Sequence, residues 1–167
     1  ILLSLFCLAG IVMANAQRFA LIDMEYIMEN IPEYQQANNE LELASQQYQK
    51  AVEAKAKEAE ALYLAYQKAA NTLSATQRTQ KEEAIVAKER EAAELRKKYF
   101  GPEGEMAQKQ EALIAPIQNR IYEAVKQISS QKGYDAVIDR ASATSIIFAS
   151  PRIDISNEDL AKLGYSN

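Results

Sequence analysis

Carboxylates are the one class of side chain abundant enough here to suggest acid–base chemistry: the 167 residues hold 23 Asp and Glu. Histidine is absent, and the single cysteine, Cys7, sits in an apolar run at the start. A zinc centre built on His or Cys, a Cys/His dyad and a Ser/His/Asp triad are therefore all excluded. Paired carboxylates alone can hydrolyse a glycoside, but only across a carved cleft. With five glycines and four prolines the chain has few loops from which to carve one. The carboxylates read instead as the wet faces of helices. No catalytic residue, metal ligand or cofactor is nominated, and the chain is not read as an enzyme. Its formal charge of −4 and lack of a basic patch also leave nucleic acid out as a partner.

What remains is binding, and the elements that would present a binding surface begin after residue 16. Ile1 to Val12 is apolar and uncharged, too short for the roughly 20 residues that span a bilayer. Ala14-Asn15-Ala16 closes it with the small-x-small pattern of signal-peptidase cleavage. Residues 1–16 thus read as a signal peptide truncated at its start, and Gln17 as the first mature residue. Cys7 lies too deep in the run to be a lipoprotein cysteine. An exported chain without cysteines beyond its signal has no disulfide, so packing or oligomerisation must stabilise it.

Arg18 to Met24 suits a buried strand, and Glu25 to Asn30 a short helix, with Asn30 as a possible cap before Pro32. From Glu33 to Leu73 there is neither Gly nor Pro. Leu41, Ala44, Tyr48, Val52, Ala59, Leu62, Tyr66, Ala69 and Leu73 recur at steps of three, four or seven. That spacing predicts a helix about 60 Å long with a narrow apolar seam. So thin a seam needs a partner helix. Residues 71–79, rich in Ser, Thr and Asn, predict a turn with Ser74 or Thr76 as cap. Gln80 to Tyr99 then returns, with Ala84, Lys88, Ala92, Leu95 and Tyr99 on one face. Eleven acidic and eleven basic residues balance between Glu33 and Tyr99, and Glu53–Lys57 and Glu94–Lys98 have the favourable i, i+4 order. Phe100-Gly101-Pro102-Glu103-Gly104 breaks the return helix. A more apolar helix follows from Glu105 to Gln131, expected to kink at Pro116 and to stop at Gly133. Tyr134–Asp139 and Ser145–Ala149 read as strands, Pro151–Ile155 as extended, and Ser156 to Asp159 as a capping box opening a last helix. The fold class is α+β, mostly α: a long antiparallel helical hairpin projecting from a small β-containing body. So few short strands do not make a stable sheet alone, which predicts a homo-oligomer.

These pieces resemble the Skp/OmpH family of periplasmic chaperones. Phe19-Ala20-Leu21-Ile22-Asp23-Met24 is similar to the family's opening strand. Ile121 to Lys126 with Gly133 to Asp139 is similar to its closing helix and strand, and Asp154-Ile155-Ser156 through Leu160 to its terminal segment. Tyr99 to Glu105 resembles the subgroup with a longer joint in the returning helix. The resemblance implies a trimer whose shared body, residues 17–30 and 110–165, carries tentacles made of residues 31–109 with a tip near 71–79. It implies an ATP-independent periplasmic holdase that keeps unfolded outer-membrane β-barrel proteins in the space between the arms. The family's best-known members are basic; this chain is acidic with a neutral arm, so no lipopolysaccharide site is carried over and membrane-lipid contact stays open.

An unfolded client calls for a broad, adaptable surface. Tyr48 and Tyr66 fall on the seam and read as knobs of the hairpin. Leu43, Tyr63, Leu64 and Tyr34 are the candidate client contacts. Leu21, Ile22, Val137, Ile138, Ile146 and Ile147 are candidates for the body core or the contacts between subunits, and Gly101 and Gly104 for a hinge. An exported coiled-coil scaffold without holdase activity is the alternative, and a carboxylate hydrolase of envelope glycan a third class. A holdase keeps denatured outer-membrane proteins soluble on dilution, whereas a scaffold lets them precipitate.

Overall fold

The computed structural model describes residues 17–143 and 145–165; the expected signal over residues 1–16 lies outside them. The arm is formed by helix α2 (Pro32–Ala69), about 57 Å long at 1.5 Å per residue, and α3 (Ala75–Phe100), which returns along it. Leu73, expected inside the first helix, lies in the turn. The chain leaves the helix at Ala69, whose carbonyl accepts from both the Thr72 amide and hydroxyl. Ser74 then caps α3 through a reciprocal box with Gln77.

The seam of α2 is buried or half-buried at Ala37, Leu41, Ala44, Tyr48, Ala51, Lys55, Ala59, Leu62, Tyr66 and Ala69. Opposite it α3 presents Ile85, Lys88, Ala92, Leu95 and Tyr99. Ala84, expected on this face, is exposed, and its neighbour Ile85 is buried instead. The rotation places the larger apolar side chain between the helices.

Helix α4 (Glu105–Lys132) carries the chain from the arm into the body and runs through Pro116 without a break. It ends at Gly133, whose positive φ of 66° lets the Tyr134 amide reach back to the Ser129 carbonyl at 3.0 Å. The body contains a two-stranded parallel sheet, β1 (Phe19–Ile22) beside β2 (Ala136–Asp139), with Phe19 opposite Ala136 and Ile22 opposite Asp139. Parallel strands need a long crossover, and here the whole arm supplies it. Beyond β1 the chain returns as a 3₁₀ turn (Pro151–Ile153), a bridge from Asp154 to Leu21, and helix α5 (Ser156–Leu163). Short helix α1 (Met24–Glu29) closes the layer. Its buried centre is Ala20, Ile22, Ile27, Ile31, Ile117, Ile121, Ile128, Ile155 and Leu160.

Three local expectations are corrected. Ile31, not Asn30, precedes α2, because Asn30 is used to end α1 and its amide bonds the Tyr26 carbonyl. Ser156 is the first residue of α5 and not its cap; its hydroxyl instead accepts from the Asp23 amide at 2.9 Å, tying α5 to α1. Residues 145–149 form no strand. Within one chain β1 is already flanked by β2 and the Asp154 bridge, so no sheet edge beside β1 is left for them.

Candidate binding arm and the groups that hold it

The free surface of the arm carries exposed apolar side chains. Leu43 is 60% exposed, and Tyr63 and Leu64 are each 47% exposed. Val86 on α3 is equally open, and the seam pattern had no reason to single it out because it lies off that face. Tyr34 differs: it is half-buried at the arm's root and packs against the body core. It therefore offers little free surface, while the other three candidates stand in solvent.

The joint between α3 and α4 is pinned to α2. Tyr48 stacks on Tyr99 with ring centroids 4.1 Å apart and planes within 8°, and meets the edge of Phe100 at 6.3 Å. Offset and edge arrangements of this kind add to the area they bury. Glu105 faces the Tyr48 hydroxyl and pairs with Lys98 at 3.1 Å. Lys98 and then Tyr48 hold its carboxyl below the usual range, and the same carboxylate pushes the Tyr48 phenol up. Gly101 and Gly104 serve close approach. A Cβ on Gly101 would press into the Lys97 carbonyl oxygen, and one on Gly104 would lie 2.8–2.9 Å from the carbonyl oxygens of Tyr99 and Lys98. Both glycines have negative φ, so the missing Cβ, and not a left-handed backbone, is what the joint requires.

The charged side chains pair by tertiary proximity. Glu94 pairs with Arg90 at 3.6 Å, and Lys98 is taken by Glu105 across the joint, so the expected Glu94–Lys98 pair does not form. Glu53 accepts from Gln49 and not from Lys57. Farther out, Lys55, Glu58, Lys88 and Glu91 form a tetrad between α2 and α3, with Lys88 to Glu91 at 2.8 Å and Lys88 to Glu58 at 3.4 Å. Toward the tip, the Tyr66 hydroxyl bonds Glu82. At the root, Tyr165 donates to both Glu33 oxygens at 2.7 and 2.8 Å, and Arg120 approaches Glu33 at 3.3 Å. The tyrosine bond first, and the arginine with it, keeps the Glu33 carboxyl low. Gly164, at φ 91°, turns the chain so that Tyr165 can make this clamp.

In the body, Leu21 and Ile22 are buried and Val137 packs on the core. Ile138 points to the other face by strand alternation and is 40% exposed. Ile146 is half-buried, Ile147 wholly exposed, and Phe148 85% exposed. A single subunit therefore gathers only half of the expected core residues. Beside them, an open groove of about 360 Å³ lies between α4 and β2, lined among others by Ile121, Val125, Tyr134 and Val137. Asp159 is fully buried with neither carboxylate oxygen bonded, and burial raises its pKa to about 7, against the weaker pull of Lys162. No pattern flagged it, since it sits inside an acidic first turn typical of a solvated helix start. Among the described residues there is no cluster of three or more metal-ligating side chains, and no helix long and apolar enough to cross a membrane.

Known proteins share this arrangement. A structure of a protein from Caulobacter crescentus, described as an OmpH-like outer membrane chaperone, superposes with a TM-score of 0.67 at 12% identity, over 89% of this chain and 84% of that one. At that identity it establishes the fold. The chaperone protein Skp of Yersinia enterocolitica is 26% identical over 156 residues, which is 93% of this chain and 92% of the relative. A family model described as outer membrane protein (OmpH-like) matches residues 18–163, nearly the whole described length, and the chain belongs to that family.

Proposed function

We propose that this protein is an ATP-independent periplasmic chaperone that holds unfolded outer-membrane β-barrel proteins between helical arms and prevents their aggregation. The observation that carries the reading is an arm, clamped at its root, whose free surface bears exposed apolar groups at several positions along it, Leu43, Tyr63, Leu64 and Val86. Dispersed contacts of this kind suit a client without fixed shape and leave the empty arm soluble. Membership of the OmpH-like family, and the chaperone names of its relatives, support the same reading. The working unit is a homotrimer, with residues 17–30 and 110–165 as the shared body and 31–109 as the arm. The open β2 edge offers unpaired backbone groups, and the groove beside α4 and the exposed Ile147–Phe148 segment offer apolar surface, which supports contacts between subunits. Export through a cleaved signal over residues 1–16 brings the protein to its clients.

The test is dilution of a urea-unfolded outer-membrane β-barrel protein into buffer with the mature chain. Light scattering should stay low at about one oligomer per client. Replacing Leu43, Tyr63 and Leu64 together with serine should raise scattering severalfold while circular dichroism and oligomer mass stay unchanged. Precipitation of the client despite the intact protein would favour a scaffold.

A further inference from the structure

The contact between α2 and α3 is not uniform along the arm. Toward the root it is made by large side chains, Tyr48 against Tyr99 and Phe100. Toward the tip it is made by Leu62, buried Ile85 and the Tyr66–Glu82 bond. Next to the aromatic grip, half-buried Val52 and Leu95 continue the apolar contact; beyond them, about 35 Å along α2, the seam positions before Leu62 and Ile85 belong to two alanines and two lysines. Ala59 and Ala92 are buried, and Lys55 and Lys88 take the places where an apolar knob would stand. The lysines are closed by Glu58 and Glu91, giving pairs at 3.0, 4.0, 3.4 and 2.8 Å that cross between the helices as well as along them. All four charged side chains keep a third to a half of their surface in water.

We infer that the arm flexes at this ionic layer, with the part beyond it, about residues 60–87, moving against the part fixed to the body. The joint at Gly101–Gly104 is braced by the aromatic stack and the Lys98–Glu105 pair, so motion there must break packed contacts. At the layer, separation exposes two methyl groups and the stems of two lysines that already keep a third or more of their surface in water, and the charges exchange one another for water. Half-exposed ion pairs contribute little net stability and are screened by salt. Helical segments released from their partner are marginal, so local opening of the pair should be visible as backbone exchange. The inference does not depend on whether the arms hold a client.

Hydrogen exchange of the mature protein in its native assembly tests it. Amides of residues 54–60 and 87–93 should exchange about tenfold faster than those of 44–52 and 95–100, and faster than those of 62–68. High salt should widen the difference. Lys55→Leu with Lys88→Leu, which fills the layer with apolar side chains, should abolish it. Spin labels at the tip and in the body should then report a narrower distance distribution. Uniform protection along the arm, fastest exchange centred on 97–108, or a distribution unchanged in the double variant would each overturn the inference.

Discussion

At the scale of single residues, two side chains carry more than their sequence context suggests. Asp159 ionises near the usual 3.8 when unfolded and at about 7 when folded. Between those values the folded protein holds one proton more than the unfolded one, so this group makes stability fall as pH rises, by about 1.4 kcal/mol per unit at the steepest. Its contribution is greatest below about pH 4 and is gone above pH 7. The low-lying carboxyls Glu33, Glu58 and Glu105 act in the opposite sense, but only below their ordinary pKa of 4.5. Urea unfolding at fixed protein concentration should thus show stability declining from pH 5 to 7, and Asp159→Asn should flatten that slope and be the more stable form at pH 8. Tyr48 is the second case. Tyr48→Ala removes the stack on Tyr99 and the partner of Glu105, and should cost about 1–3 kcal/mol, with exchange accelerating most in residues 97–108. A double Gly→Ala change at the joint is a poorer probe of hinging, because the added Cβ atoms strike backbone at both positions.

Elements show where local chemistry decides and where packing overrides it. The Ser74 box ends the turn at the tip, and Ser74→Ala should cost about 0.5–2 kcal/mol, read as fraying of the first turn of α3 by exchange with little change at the root. The sequence narrowed this cap to Ser74 or Thr76, because the signal is confined to a few residues, and the structure selects Ser74. The same logic failed at Ser156, where a cap-like sequence sits one turn position too late and the hydroxyl serves α1 instead. It failed at Ala84 too, because the period of a helix locates a face only to within about one residue, and the larger neighbour took the buried position. The i, i+4 pairs were misassigned for a related reason: a long lysine has several carboxylates in reach, and which one it meets depends on the facing helix.

For the whole molecule, a single chain leaves apolar surface uncovered: Ile147 and Phe148 stand in water, and the body also carries an open strand edge and a groove with apolar lining. Apolar surface of this kind is usually covered by a partner. Replacing Ile147 and Phe148 with glutamate should shift the mature protein toward monomer in light scattering, with helix content by circular dichroism nearly kept, because the arm's own seam is untouched. If the mass is unchanged, the segment lies outside the subunit contacts.

The sequence by itself determined the arm in outline: its approximate length, its seam on α2, a turn expected within 71–79 that the structure places at 70–74, the break at 101–104 and the glycine stop at 133. Each of these rests on a period or a residue type acting within a few positions. It also excluded histidine-based catalysis by this chain's own residues, since composition needs no geometry. Only the tertiary structure decided that β1 and β2 pair in parallel across the whole arm, that Tyr34 belongs to the root and not to the free surface, and that Asp159 is buried without a partner. It alone put an ionic layer between two apolar grips. These outcomes depend on which distant elements meet and at what rotation, and that information is shared among residues too far apart in the chain for any local pattern to carry it.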